Sequence, residues 1–261
     1  MKQKKIKQPL TVQQKINRRT FISFGVFGAA AVTGVLGWRW LYHSPEEVTA
    51  ITGGQRVPLR RALNKTELAV RRLLYNENHL VKTYSKDRAA KNVRVNSDIG
   101  IEADKQFDIA NWKLEVKKQN GETLSIGLDE LKTLPKTEIV YDFKCVEGWD
   151  QISHWGGIKF IDFLNHYKLQ DQTQLQYVGM ETPDKTYYVG IDMPSAIHPQ
   201  TIMAYEVNEK PLPLENGAPL RLIIPTKYGI KNLKRIGTIT FSNNRPHDYW
   251  AEQGYDYYSG L

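Results

Sequence analysis

The sequence predicts an α+β fold with mixed sheets, preceded by an apolar helix at the amino terminus. Short apolar runs with strand character outnumber helical ones and lie irregularly among them, which argues against a doubly wound parallel sheet. A composition of 41% hydrophobic and 25% charged residues over 261 positions is that of an ordinary globular chain and excludes disordered and fibrous classes.

The first element is an address. Residues 1–19 carry Lys2, Lys4, Lys5, Lys7, Lys15, Arg18 and Arg19 and no acid, so seven of the eight units of net positive charge sit there and the rest of the chain is close to neutral. A nucleic-acid-binding domain would keep its excess in the folded part, so no nucleic-acid partner is expected. Residues 20–38 then hold no charged side chain, and at 1.5 Å per residue reach about 28 Å, close to a hydrocarbon core. The stretch is rich in Gly and Ala, and the pair Arg18-Arg19 followed by Phe21 resembles a twin-arginine leader. No small-x-small cleavage site precedes Pro45, so an uncleaved anchor is expected, with the basic end cytoplasmic and everything after Tyr42 outside. The divisions are a leader at 1–19, an apolar anchor helix at 20–41, a connecting segment at 42–74 and a folded domain at 75–261. Within the connection, Leu59, Leu63, Val70, Leu73 and Leu74 recur at helical spacing between basic residues and predict an amphipathic helix over 59–74.

Residues 82–110 are polar without sustained period and read as a surface-wandering segment. Trp112, Leu114 and Val116 alternate, Asn120-Gly121 signals a turn, and Leu124 and Ile126 resume the spacing: a hairpin. Asp129 is placed to cap a short helix that Pro135 stops. A strand over 138–143 runs into Cys145. A helix is expected from Ile158 to Tyr167, strands at 177–180 and 187–191, a turn and short helix within 192–205, and strands at 220–224 and 235–241.

Cys145 is the only cysteine, so neither an intramolecular disulfide nor a multi-cysteine metal site is possible. Its position, where a strand meets the turn Val146-Glu147-Gly148-Trp149, leaves three readings: a silent core thiol, a nucleophile with His154 or His198 as base, or a single thiolate completing a metal whose other ligands belong to a cofactor. Downstream, Asn216, Arg221, Lys231 and Lys234 gather an amide, a guanidinium and two ammoniums among glycines. Such a set suits an anionic, phosphate-bearing cofactor, although each residue alone is equally a turn or a solvated edge.

Six segments fall in the order and spacing of one known family. They are 145–149 (CVEGW), Trp155-Gly156-Gly157, 177–182 (YVGMET), Tyr205-Glu206, 216–221 (NGAPLR) and 227–231 (KYGIK). Across about residues 75–258, with Gly254-Tyr255 near the end, the chain resembles the molybdopterin-binding domain of the sulfite oxidase superfamily. The nearest branch looks like the catalytic subunits of periplasmic methionine sulfoxide reductases. The resemblance implies a molybdenum-molybdopterin cofactor, one per chain, with Cys145 as the catalytic thiolate ligand of the metal. It also implies cofactor contacts at Thr182, Asn216 and Arg221 and along Asn232, Leu233 and Lys234. An upstream stretch corresponds more loosely, with contacts at Asn76, Asn78 and His79.

The departures are informative. Sulfite oxidases follow the cysteine with an arginine-bearing segment that holds an anionic substrate, whereas here Val146, Glu147, Gly148 and Trp149 follow. No counterpart of their dimerisation domain is expected, which implies a monomeric catalytic subunit. The chain has no haem or flavin motif, so the resemblance implies a membrane electron donor, with a haem-containing integral membrane subunit as candidate. The expected function is oxygen-atom transfer reducing an S-oxide or N-oxide on the periplasmic face of the inner membrane. The alternatives are a membrane-anchored, non-catalytic cofactor-fold binding module and a cysteine hydrolase.

Overall fold

The computed structural model describes residues 11–46, 55–74, 76, 79–101 and 107–260. The chain divides into two units, one of residues 1–47 and 55–70, the other of 48–54 and 71–261.

In the first unit, helix α1 (Val12–Tyr42) starts eight residues before the apolar stretch, because its basic residues are good helix formers and Thr11 caps it. The Thr11 hydroxyl accepts from the Gln14 N–H at 3.3 Å while the Gln14 side chain accepts from the Thr11 N–H at 3.0 Å. No residue of α1 is buried. Among the described residues it is the one helix long and apolar enough to cross a membrane. Helix α2 (Val57–Leu74) follows the expected amphipathic segment.

Among the described residues the second unit holds two five-stranded sheets. The first is ordered β2-β1-β10-β5-β6 and comprises β1 (Lys113–Lys117), β2 (Thr123–Gly127), β5 (Tyr177–Glu181), β6 (Tyr188–Asp192) and β10 (Thr238–Ser242). The second comprises β3 (Lys136–Lys144), β4 (Asp150–Lys159), β7 (Ile202–Val207), β8 (Lys210–Pro211) and β9 (Arg221–Ile223), with β9 pairing to β7. The β1–β10 pair is parallel and the other pairs are antiparallel, so the expected mixed α+β architecture is present.

The hairpin follows its alternation: Leu114 and Val116 are fully buried while Lys113, Glu115 and Lys117 face out. Its turn is wider than Asn120-Gly121 alone and spans 118–122, with the Gly121 N–H donating to the Lys118 carbonyl at 3.0 Å. The short helix α3 (Leu128–Leu131) begins at Gly127, whose N–H donates to Glu130 Oε1 at 2.9 Å, so Asp129 lies in the first turn rather than at the cap.

Sequence reading missed β4. Residues 153–158 are all buried, so no alternation announces a strand, and Gly156-Gly157 reads as a breaker. The helix expected from Ile158 shrinks to α4 (Phe160–His166). Gly157 sits at a bulge against β7, where an added Cβ would lie 2.1 Å from the Met203 carbonyl oxygen; only glycine fits this close approach. The 192–205 segment contains the Asp192-capped helix α5 (Met193–Ala196) and then the start of β7. The last expected strand shortens at its start to β10.

The polar 82–101 stretch is a strap pinned to the second sheet. Tyr84 N–H donates to the Val140 carbonyl and Ala90 N–H to that of Ile152, both at 2.9 Å. It does not merely wander over the surface, and it delivers residues 96–99 to the site below.

Candidate active site

Strand β3 carries Cys145 to its end, where the chain must turn. The Gly148 N–H closes the turn on the Cys145 carbonyl at 3.1 Å, and the Cys145 N–H donates to the Trp149 carbonyl at 2.9 Å. Trp149 stacks on Phe143 with ring centroids 5.9 Å apart, and its indole N–H holds Glu147 Oε2 at 2.7 Å. Cys145 is 5% exposed. Burial pushes its thiol pKa up and the Glu147 carboxylate adds to this, while the backbone N–H groups of Glu147 and Val146 act against it.

Cys145 lines a cleft open to solvent. One wall is Gly229, Ile230, Asn232 and Lys234; another is Asn96, Ser97 and Ile99 from the strap. Tyr187, Trp250 and Tyr255 form an aromatic side, fixed in part by the Tyr187 hydroxyl donating to the Ile230 carbonyl at 2.6 Å.

Four cations come from the 221–234 stretch, and they are treated differently. Lys227 faces Asp192 Oδ1 at 3.1 Å, and Lys231 is buried against the Asp248 carboxylate and the Gly190 carbonyl. Arg221 and Lys234 have no carboxylate at ion-pairing distance among the described residues. The Arg221 guanidinium, 1% exposed, donates to the carbonyls of Asn216 at 2.9 Å and Asn232 at 3.4 Å and lies 4.5 Å over the Trp155 ring, while its Nε finds no acceptor. Burial lowers its pKa to about 10. Lys234 donates to the carbonyls of Ser97 and Glu215, and burial, then the Arg221 charge, lowers its pKa to about 7. The Asn216 side-chain N–H group is likewise buried without an acceptor. A buried guanidinium, a depressed ammonium and an orphaned amide form a donor set that calls for an anionic, acceptor-rich group. Gly217, at φ +101°, lets the Asn216 turn close onto Lys234; an added Cβ would meet the Lys234 backbone at 2.8 Å.

Of the residues singled out in the sequence, Cys145, Asn232 and Lys234 meet in the cleft, whereas Arg221 and Asn216 are not among its described lining residues, the Arg221 guanidinium reaching the carbonyls of both Asn216 and Asn232. Asn232 holds its own segment: its Oδ1 accepts from the Ile224 N–H at 2.7 Å and its amide donates to the Tyr228 carbonyl at 3.0 Å. Leu233 is fully buried in the main apolar core rather than in the cleft lining. The Thr182 hydroxyl closes the turn after β5, donating to Asp184 Oδ1 at 2.5 Å and accepting from the Tyr187 N–H at 3.2 Å. Asn76 and His79 are exposed and do not line the cleft, and Asn78 lies outside the described residues. No histidine lines the cleft. His154 faces Val140 across the strands, five residues before Cys145 and thus about 17 Å along β3, so it makes no dyad with the thiol. The residues missed were Asn96, Ser97, Ile99, Tyr187 and Trp250; Tyr255 lay inside the resembling segment without a role.

Comparison with known proteins gives the family. Residues 101–250 match the oxidoreductase molybdopterin-binding domain. The chain belongs to that family. A protein of Azospira oryzae provisionally named protein-methionine-sulfoxide reductase subunit YedZ1 is 33% identical over 199 residues, 76% of this chain and 75% of that protein. The protein-methionine-sulfoxide reductase catalytic subunit MsrP of Campylobacter jejuni is 30% identical over 59% of this chain and 58% of its own length. MsrP of Xanthomonas campestris is 32% identical over 58% of this chain and 51% of its own length. The chain thus spans three quarters of the first relative and little more than half of the other two. It is a molybdopterin-dependent oxidoreductase, and the mixed sheets and the amino-terminal apolar helix agree with the sequence reading.

Proposed function

We propose that this chain is the catalytic subunit of an S-oxide reductase acting on methionine sulfoxide or a like S-oxide or N-oxide. The observation that carries the substrate class is the cleft wall. Three aromatic rings and the Glu147 carboxylate stand around Cys145, and Lys234 is the single cation among the described lining residues. A carboxylate within about 6 Å of a dianion costs on the order of 1 kcal/mol or more, whereas a neutral sulfoxide feels little of it. Aromatic faces suit the apolar thioether stem, and sulfur packs favourably at ring edges. The names of the relatives support the same reading.

When bound, molybdopterin supplies the two-electron oxygen-atom chemistry, which takes a sulfoxide, two electrons and two protons to a sulfide and water. The chain's own residues bind and orient. Cys145 Sγ is the soft ligand for the metal. Arg221, Asn216 and Lys234 offer donors to the cofactor's anionic and polar groups, and Asn232 holds their segment in register. Tyr187, Trp250 and Tyr255 exclude water from one side of the cleft. Electrons come from a separate membrane donor, with a haem-containing integral membrane subunit as the candidate. With sulfite plus an artificial acceptor, and with methionine sulfoxide plus a reduced viologen, sulfoxide turnover is expected to exceed sulfite turnover; the reverse ranking refutes the assignment.

We further propose export through the twin-arginine signal, with the catalytic unit on the periplasmic face and α1 as tether or leader. Guanidinium pairs and ammoniums are not equivalent to a receptor that reads them. Arg18→Lys with Arg19→Lys is therefore expected to leave the protein in the cytoplasmic fraction, with the positive charge unchanged. Normal export of that variant would make α1 a general signal anchor.

A further inference from the structure

Helix α2 carries an apolar face that no described residue of its own unit covers. At 100° per residue, Leu59, Ala62, Leu63, Thr66, Ala69 and Val70 fall on one side. All are exposed: Leu59 by 42%, Leu63 by 50% and Val70 by 46%. Arg61 and Lys65, both exposed, fall on the other side, while Arg60 is buried. A strongly amphipathic, basic helix of this kind is suited to lie on an anionic bilayer rather than to cross it.

The level at which α2 begins supplies the second argument. Trp38, Trp40 and Tyr42 are exposed at the end of α1, as an interfacial aromatic belt would be. Arg56, just before α2, donates to the Ser44 carbonyl at 2.7 Å, pairs with Glu46 at 2.9 Å and lies 5.6 Å over the Tyr42 ring. The Val57 N–H donates to the Pro45 carbonyl at 3.0 Å. The start of α2 is therefore fixed beside the aromatic end of α1.

We propose that α2 lies in the headgroup region of an anionic phospholipid surface, with Leu59, Leu63 and Val70 toward the acyl chains and Arg61 and Lys65 toward the phosphates. This rests on α1 crossing the bilayer, and it gives the chain a second membrane contact whose strength depends on lipid charge. The test uses the full chain in nanodiscs of phosphatidylcholine alone or mixed with phosphatidylglycerol, each containing a lipid with a photoactivatable diazirine high in its acyl chain. Adducts are mapped by mass spectrometry. Adducts are expected in α1 in both discs. In α2 they are expected at Leu59, Leu63 and Val70 with phosphatidylglycerol, falling about tenfold in its absence or in the Arg61→Glu/Lys65→Glu variant. Adducts in α1 but none in α2 would overturn the inference and leave the tether standing, since another protein surface would then cover the face. Equal α2 labelling in both discs would overturn the dependence on anionic lipid. Labelling of neither helix would overturn the tether and the inference together.

Discussion

Cys145→Ser is expected to lower turnover by about a hundredfold or more, at least ~2.7 kcal/mol in barrier, while the protein folds and keeps most of its cofactor. Serine is nearly the size of cysteine and the site is a tight turn at the end of β3, so packing against the cleft changes little. What changes is the donor. A thiolate is a soft ligand whose charge the Val146 and Glu147 N–H groups help to hold, whereas an alcohol at neutral pH is a poor one. The other proposed cofactor contacts, Asn216, Arg221 and Lys234, lie on a different part of the chain and are expected to survive the change. Steady-state rates with methionine sulfoxide, measured beside the molybdenum content of the same sample, check the prediction. Retention of more than about a tenth of the activity in a loaded variant, a barrier change under ~1.4 kcal/mol, would exclude direct ligation by Cys145.

How far the sequence could be read depended on whether a signal was local. The β1–β2 hairpin was legible because each strand has one face in the core and one in water, which writes an alternation into residues 113–127. Strand β4 was illegible because its central residues are buried throughout, and its two glycines reflect contact with β7, dozens of residues downstream. In the site, Cys145 was conspicuous as the only cysteine. Lys231 and Lys234 looked alike in sequence, and only tertiary structure separates them, giving one a carboxylate on a later segment and leaving the other on carbonyls. Residues 96–99 carried no period and no motif, and enter the cleft because the strap is pinned to β3 and β4. Thr182 and Leu233 show the converse, since motif positions next to a site also serve the turns and core that hold it.

Arg221 distinguishes a cofactor-binding role from a structural one by sign. If its guanidinium were there to hold the fold, replacing it would destabilise the protein with and without cofactor. In the structure it is a buried charge with carbonyl and aromatic partners, an orphaned Nε and, among the described residues, no carboxylate, which is unfavourable until an anion arrives. Arg221→Met keeps most of the volume and removes the charge. Two consequences of opposite direction are expected. The cofactor-free variant should melt at the same temperature as the parent or higher, because an uncompensated buried charge has gone. Cofactor affinity should fall by roughly tenfold to a hundredfold, the equivalent of one charge-assisted hydrogen bond of about 1.5–3 kcal/mol. Calorimetry of cofactor-free protein, with molybdenum and pterin analysis of protein from the membrane fraction, reads both. The parent should hold near one molybdenum per chain and the variant well below it. A variant that loads fully but shows a raised KM would move Arg221 to the substrate side of the cleft, and one whose cofactor-free form melts several degrees lower would make the guanidinium a structural strut of the Asn216 turn.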